Sequence, residues 1–416
     1  MVQHMITRRR ALQLGALSGV AMAATPLKLA LADSEPFKIG SVSSLTGPGA
    51  PVGKMGLVGV QMAVDRINKA GGIKGRPVKL IPEDDESKPD VGRRKAEKLL
   101  TEDKIDAHVG GVLSNICLAC MPVYEDHQVV NMISVCLDTT ITTSKCSRYS
   151  FRPYDYAPAQ AVAAAPYLVN KIGKKWHIIY ADYSWGQSTR DAYAAEIKKN
   201  GGEMVGATGI PVNTADMTPF LSKITGEFDG VFVILFGQDG VTVGNQAYDL
   251  GLTKKYKFAG DGAVVAPSNL PGLGHKIDGF TGIDRYIPAE DGPLNTPYQK
   301  AFVAEAMERL KQVSPAAPRP DRYVDSSFEA MNCLKIGIEK SGFQGAADSM
   351  KLIEALEGLE MKESDDFPQG DKTLRKEDHQ AFVREFLFEV RDNNYVIKDV
   401  VTKDKTLVPP ACHFST

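Results

Sequence analysis

Short apolar runs alternate along the chain with longer stretches in which apolar residues recur every three or four positions, and this change of period predicts a doubly wound α/β chain. Residues 37–42 read as a first strand, followed by a glycine- and proline-rich loop and a helix over 56–69 with Val60, Ala63, Val64 and Ile67 on one face. Gly71 and Gly72 end that helix, since glycine accepts the left-handed conformation just past a helix C-terminus. A strand at 78–81, a helix at 91–101, a strand at 107–112, a helix at 116–126 and a strand at 129–135 complete a first unit. The rhythm restarts after Phe151-Arg152-Pro153 with helix 157–172, strand 176–180, helix 186–200, strand 203–210, helix 217–224, strand 230–235, helix 241–250 and strand 257–259. Following a shift at 279–288, the helices 296–312 and 323–340 read as a return to the first unit, with the proline-rich 314–320 as a surface loop between them.

Composition changes this picture first at the N-terminus. Thr7-Arg8-Arg9-Arg10-Ala11-Leu12-Gln13 precedes the apolar run 14–24, and Ala30-Leu31-Ala32 supplies the small-x-small pattern cut by signal peptidase. Residues 1–32 therefore read as an export signal resembling the twin-arginine type, with Asp33 beginning the mature chain. The apolar run falls short of the ~20 residues that a membrane span needs. No later stretch reaches that length, so no membrane insertion is expected after cleavage. Removing 32 of 416 residues leaves 384, enough for two domains with separate cores. Forty-nine basic against fifty-one acidic residues give no electrostatic footprint for nucleic acid. Six cysteines in an exported chain point to at least one disulfide, with Cys136 or Cys146 as a participant. The connectivity stays open, because six cysteines allow fifteen full pairings.

Several motifs fall in one order along the whole mature chain. Ile39-Gly40 leads to Leu45-Thr46-Gly47-Pro48, Gly53, Gly59-Val60, Ile67-Asn68 and Gly71-Gly72-Ile73-Lys74-Gly75-Arg76-Pro77. Asp84-Asp85, Val109-Gly110-Gly111 with Ser114, Phe151-Arg152, Tyr183-Ser184-Trp185-Gly186, Asp216, Gly260-Asp261-Gly262, Arg375 and Asp378-His379-Gln380 follow. The series resembles the type I periplasmic binding proteins of the leucine/isoleucine/valine branch. That resemblance implies two doubly wound α/β lobes joined by a hinge of three crossovers, near 153–156, 282–286 and 373–380. It divides the chain into lobe 1, residues 33–154 and 285–375, and lobe 2, residues 155–284 and 376–416. It further implies a periplasmic solute-binding subunit of an ABC importer that closes on a small molecule by hinge motion and docks on the transporter's permease subunits. No enzymatic activity, catalytic residue, cofactor or metal is expected. A ligand-sensing domain of the same fold, or a binder of amides or urea-type solutes, is the alternative.

The resemblance also implies where a ligand would be held. Ser114, with Leu113 beside it, stands where the family places a serine whose hydroxyl and neighbouring amides hold a carboxylate; a helix cap would look the same. Asp138 occupies a position where relatives carry threonine, and a carboxylate there repels an anion unless it turns away and leaves the hydroxyl role to Thr139 or Thr140. Trp185 aligns with an aromatic lid, Phe236 ends a strand facing the same cleft with Gln238 nearby, and Asp261 aligns with the acid that receives an α-ammonium group. These residues imply a small carboxylate ligand, an amino acid or an aromatic acid, with Asp261 tilting the choice to the amino acid. Val52, Tyr154, Asp155, Tyr156 and Tyr323 are candidates for the rim. Cys117-x-x-Cys120 lacks the second ligand pair of a zinc site and reads as disulfide or core, and the acidic run 83–86 reads as a strand end. The glycine loop at 47–53 fails the dinucleotide spacing, and no G-x-S-x-G nucleophile elbow occurs.

Overall fold

The computed structural model describes residues 35–288 and 294–414; the export signal expected over residues 1–32 lies outside the described residues. Two sheets carry the chain. The first has the order β2-β1-β3-β4-β5, from β1 (Phe37–Ser43), β2 (Val78–Asp84), β3 (Ala107–Gly110), β4 (Asn131–Ile133) and β5 (Ser150–Phe151), with every pairing parallel. Helices α1 (Ala50–Lys69), α2 (Pro89–Thr101) and α3 (Ser114–Asp126) connect its strands. The second sheet runs through β6 (Lys175–Ala181), β7 (Glu203–Ile210), β8 (Gly230–Ile234), β9 (Lys257–Asp261) and β10 (Thr281–Asp284). Its helices are α4 (Ala157–Tyr167), α5 (Ser184–Lys199) and α7 (Gly237–Asp249), with the single turns α6 (Thr218–Leu221), α8 (Leu252–Lys255) and α9 (Leu270–Leu273). Helices α10 (Pro297–Leu310), α11 (Arg322–Ser341) and α12 (Ser349–Leu356) follow, and α11 lies along α1 against the first sheet.

The chain then makes a small three-stranded sheet, β11 (Glu360–Met361), β12 (Lys372–Leu374) and β13 (Ala381–Phe382), before the hairpin β14 (Glu385–Arg391) and β15 (Asn394–Val401). That hairpin joins the second sheet antiparallel through β10, giving the order β15-β14-β10-β9-β8-β6-β7. Two expected elements differ. The helix over 157–172 is α-helical only to Tyr167 and ends as a π turn, Leu168–Ile172, where Pro166 removes a backbone donor. The helix expected over 217–224 is the single turn α6, with Pro219 in its first positions and Gly226 soon after its end, too short to nucleate more.

Glycine sets two close approaches that place the helices. A Cβ on Gly59 of α1 would sit 2.2 Å from the Val324 carbonyl of α11, so this helix pair meets backbone to backbone. Gly53 and Gly186 play matching parts in the two lobes. A Cβ at Gly53 would stand 1.8 Å from the carbonyl of Ser44, just past β1, and one at Gly186 would stand 1.9 Å from that of Ala181, the last residue of β6. Each lets a helix start pressed against the end of the preceding strand.

Three crossovers join the sheets and are knitted together. Arg152 and Gln380 form an isolated parallel bridge, with Arg152 N–H donating to the His379 carbonyl at 2.9 Å and Arg152 Nε to Gln380 Oε1 at 2.6 Å. Arg285 donates to Asp155 at 2.8 Å, and Gln369 Nε2 donates to the carbonyls of Arg285 and Arg384. Residues 402–414 leave β15 and run back across this region: Val408 packs with Tyr156, Ala159 and Phe382, the Phe414 ring meets His379, and Cys412 is disulfide-bonded to Cys146. A second disulfide joins Cys117 to Cys136, while Cys120 and Cys333 are buried free thiols. The pairing fits the disulfide reading of the cysteines, and it splits Cys117-x-x-Cys120 into one bonded and one core residue.

Candidate functional site

A cavity of about 30 Å³, counted as space open to the centre of a water molecule, lies between the two sheets, lined by Val52, Val112, Leu113, Ser114, Val135, Leu137, Tyr183, Trp185, Phe236, Arg322 and Tyr323. Its position follows from the topology, because loops beyond the carboxyl ends of parallel strands face the same crevice. Five helices begin at its wall. Val52 lies in the first turn of α1, Ser114 opens α3, Trp185 is the second residue of α5, Phe236 immediately precedes α7, and Arg322 opens α11. Among these, α1, α3, α5 and α7 have no side chain capping the first turn. In α1 the Ala50 N–H is taken by the Gly47 carbonyl and Pro51 has none, so it is α3, α5 and α7 whose leading amides and positive dipole ends are left beside the cavity.

One wall is aromatic. Trp185 and Phe236 meet edge to face at 5.8 Å, and Tyr183 lies 6.0 Å from Trp185 and 6.3 Å from Phe236. The polar groups facing these rings are donors. Ser114 Oγ accepts the Asp138 N–H at 3.3 Å and keeps its own proton to give. Trp185 Nε1 and Arg322 Nε are buried with no hydrogen-bond partner. Burial raises the phenols of Tyr183 and Tyr323 well above their ordinary value, so both remain protonated hydroxyls.

Of the residues anticipated from the sequence, Leu113, Ser114, Trp185 and Phe236 come together on this cavity, as does Tyr323. Asp138, Thr139 and Asp261 do not line it. Asp138 is turned away: Oδ1 accepts from the Thr140 N–H at 2.7 Å and from Thr140 Oγ1 at 2.6 Å, capping the short 3-10 turn Thr139–Thr142. Thr139 lies instead beside Pro158 and Ser188 in a separate outer groove, with its N–H 3.4 Å from Ser188 Oγ. Asp261 corrects the sequence reading most. Both its oxygens are engaged by Arg322, Oδ1 by Nη1 at 2.7 Å and Oδ2 by Nη2 at 2.9 Å, and Oδ1 also accepts the Ala263 N–H. Burial pushes the Asp261 carboxyl up, and the guanidinium opposes that rise. No carboxylate is free there for an ammonium group.

Arg322 is the residue that sequence reasoning missed. It bridges α11 to strands β9 and β10, since Nη1 also reaches Asp284 Oδ2 at 3.3 Å. Asp284, desolvated beside this cluster, has its carboxyl pushed up to about 7 although Arg322 pulls the other way. The available signal was an arginine directly after a helix-capping acid, Asp321-Arg322, at the head of a helix. The acidic run at 83–86 is spent locally, with Glu83 paired to Lys95 and Lys98 and Asp84 accepting loop amides. Among the described residues no cluster of three or more His, Cys, Asp or Glu side chains is arranged to hold a metal.

Comparison with known proteins bears on this geometry. A family model described as "Periplasmic binding protein" matches residues 36–394. The Leu/Ile/Val-binding protein homolog 4 of Brucella abortus is 27% identical over 379 residues, covering 88% of this chain and 86% of its own length. A solute-binding protein of an ABC transporter from Rhodopseudomonas palustris HaA2, solved with p-hydroxybenzoic acid, superimposes with a TM-score of 0.79 at 21% identity, covering 89% of this chain and 98% of its own. The leucine-binding protein LivK of Thermotoga maritima superimposes with a TM-score of 0.74 at 19% identity, covering 88% and 99%.

Proposed function

The chain belongs to the type I periplasmic binding proteins, a family of solute binders and not of enzymes, and from that premise we propose that it captures a small organic acid without an ammonium group for an ABC importer. One observation carries the choice of ligand: Asp261, the acid that an amino acid would need, is consumed by Arg322, so that the unpaired polar side chains on the cavity wall are all donors. The carboxylate sits at the start of α3, against Ser114 and the leading amides of the helix, where hydroxyl, N–H and dipole all favour negative charge. The aromatic wall of Tyr183, Trp185 and Phe236 takes a flat apolar body, and Val52, Val112, Val135 and Leu137 cover its other side. Hinge closure over the crossovers then turns occupancy into a shape that permease subunits read.

The site of action is the periplasm. The export signal over residues 1–32 supports this reading, and no helix among the described residues is long and apolar enough to cross a membrane. Proteins of this fold solved with p-hydroxybenzoic acid and with benzoate support aromatic acids as a class this fold accommodates, alongside the leucine of LivK, and the choice between them rests on Asp261. Titration calorimetry with benzoate, 4-hydroxybenzoate and leucine tests the proposal. The expected result is binding of at least one aromatic acid and none of leucine; tight leucine binding refutes it.

A further inference from the structure

The guanidinium of Arg322 has more donors than its partners use. Nη1 gives one hydrogen to Asp261 Oδ1 and the other toward Asp284 Oδ2, while Nη2 gives one to Asp261 Oδ2. Nε–H and the second Nη2 hydrogen have no partner, and these two lie on one edge of the planar group. The edge that is used points to Asp261 and Asp284, neither of which lines the cavity, whereas Arg322 itself does. Its unused edge is therefore what Arg322 offers to an occupant. The side chain is 2% exposed and held from two directions, by the bidentate carboxylate and by the Tyr323 ring, 5.9 Å from the guanidinium carbon. Trp185, 5% exposed, adds a second unspent donor at Nε1 on the same cavity.

We infer that Arg322 is a specificity-determining residue that reads a second oxygen on the ligand, apart from the carboxylate, so that the preferred substrates are hydroxy- or oxo-substituted aromatic acids. The inference rests on the proposed function above, which places the carboxylate at Ser114 and α3. A neutral oxygen suits the free edge better than a second carboxylate, because Asp261 already balances the charge of Arg322 and Asp284 stands behind it. Leaving a buried donor unpaired costs free energy in every complex with a ligand that lacks the oxygen, and that cost is the source of discrimination.

The test compares 3- and 4-hydroxybenzoate with 3- and 4-methylbenzoate by titration calorimetry on the full mature protein, since each pair matches in shape and differs in the oxygen. At least one hydroxy acid is expected to bind tenfold or more tighter than its methyl counterpart. In R322K, which keeps a cation against Asp261 but lacks the planar edge, that ratio is expected to fall below threefold. Equal binding of hydroxy and methyl acids by the unmodified protein overturns the inference while leaving the proposed function intact. Failure of all four acids to bind overturns both. A hydroxyl preference that persists in R322K removes Arg322 from the role, and if R322K does not fold, the ratio in the unmodified protein decides alone.

Discussion

Replacing Asp261 by Asn separates an anion site from an amino-acid site in one experiment. The substitution keeps the size of the side chain and removes the charge that holds Arg322. Both partners are buried, at 0% and 2% exposure, and the pair is bidentate at 2.7 and 2.9 Å. Removing one partner of such a pair costs about 3–5 kcal/mol, because the remaining charge stays buried without compensation. Arg322 keeps Asp284 at 3.3 Å, and the Asn carbonyl retains one hydrogen bond, which places the loss near the lower limit, about 3 kcal/mol. The same change leaves positive charge unbalanced at the cavity wall. Carboxylate ligands therefore hold or gain affinity, and at a hundred times the Kd a ligand returns about 2.7 kcal/mol, nearly the whole deficit. Urea denaturation of both proteins, with and without saturating 4-hydroxybenzoate, reads both effects. A variant as stable as the parent shows that the ion pair is not held as described. A variant that loses binding of an amino acid the parent binds shows Asp261 to be an ammonium partner and refutes the reasoning.

Five further outcomes follow from the geometry and the sequence. Ser114→Ala removes a hydroxyl donor to a charged group, a loss of about 1.5–3 kcal/mol, so benzoate should bind roughly 10- to 150-fold more weakly by calorimetry; unchanged affinity places the carboxylate elsewhere. Alkylation without reduction should label two of six cysteines, Cys120 and Cys333, and only in denatured protein. Opening the Cys146–Cys412 bond by Cys412→Ser should cost more stability than opening Cys117–Cys136, since loops of 266 and 19 residues correspond in the chain-entropy model to about 5.6 and about 3.2 kcal/mol. Asp284 binds its proton more tightly folded than unfolded, so its contribution to stability falls as pH rises from about 4 to about 7. The melting temperature of Asp284→Asn relative to the parent should climb across that window, and a pH-independent difference contradicts the assignment. Replacing Arg8 and Arg9 by Lys should abolish export, and N-terminal sequencing of the exported protein should begin at Asp33.

The strand and helix periods carried most of the fold, because each buried face in a doubly wound sheet repeats along a contiguous segment. The segment 203–210 reads and folds as one strand, and Val60, Ala63, Val64 and Ile67 are all buried in α1. The C-terminal hairpin was not legible: β15 has only exposed and half-buried positions at a sheet edge, and nothing local says that its partner's partner is β10. At the site, the family resemblance placed Ser114 and Trp185, and Phe236 was legible as the end of a strand facing the cleft. Asp261 was misread for a physical reason. A carboxylate between two glycines looks the same from the sequence whether it faces a ligand or a guanidinium, and its partner lies 61 residues further on.

The bond between Cys146 and Cys412 makes the state of the C-terminal tail a record of maturation. In the folded chain Cys412 lies beside its partner because β14 and β15 have joined the second sheet and the tail crosses back over the hinge. For a chain delivered across the membrane already folded, the oxidant meets two thiols held with their Cα atoms 5.9 Å apart and has one product to make. For a chain threaded through unfolded, Cys117, Cys120, Cys136 and Cys146 emerge together long before Cys412, and the native Cys117–Cys136 pairing then competes with wrong ones. The ring that closes last also encloses most of the second lobe, so a single proteolytic cut between residues 146 and 412 leaves one covalent particle.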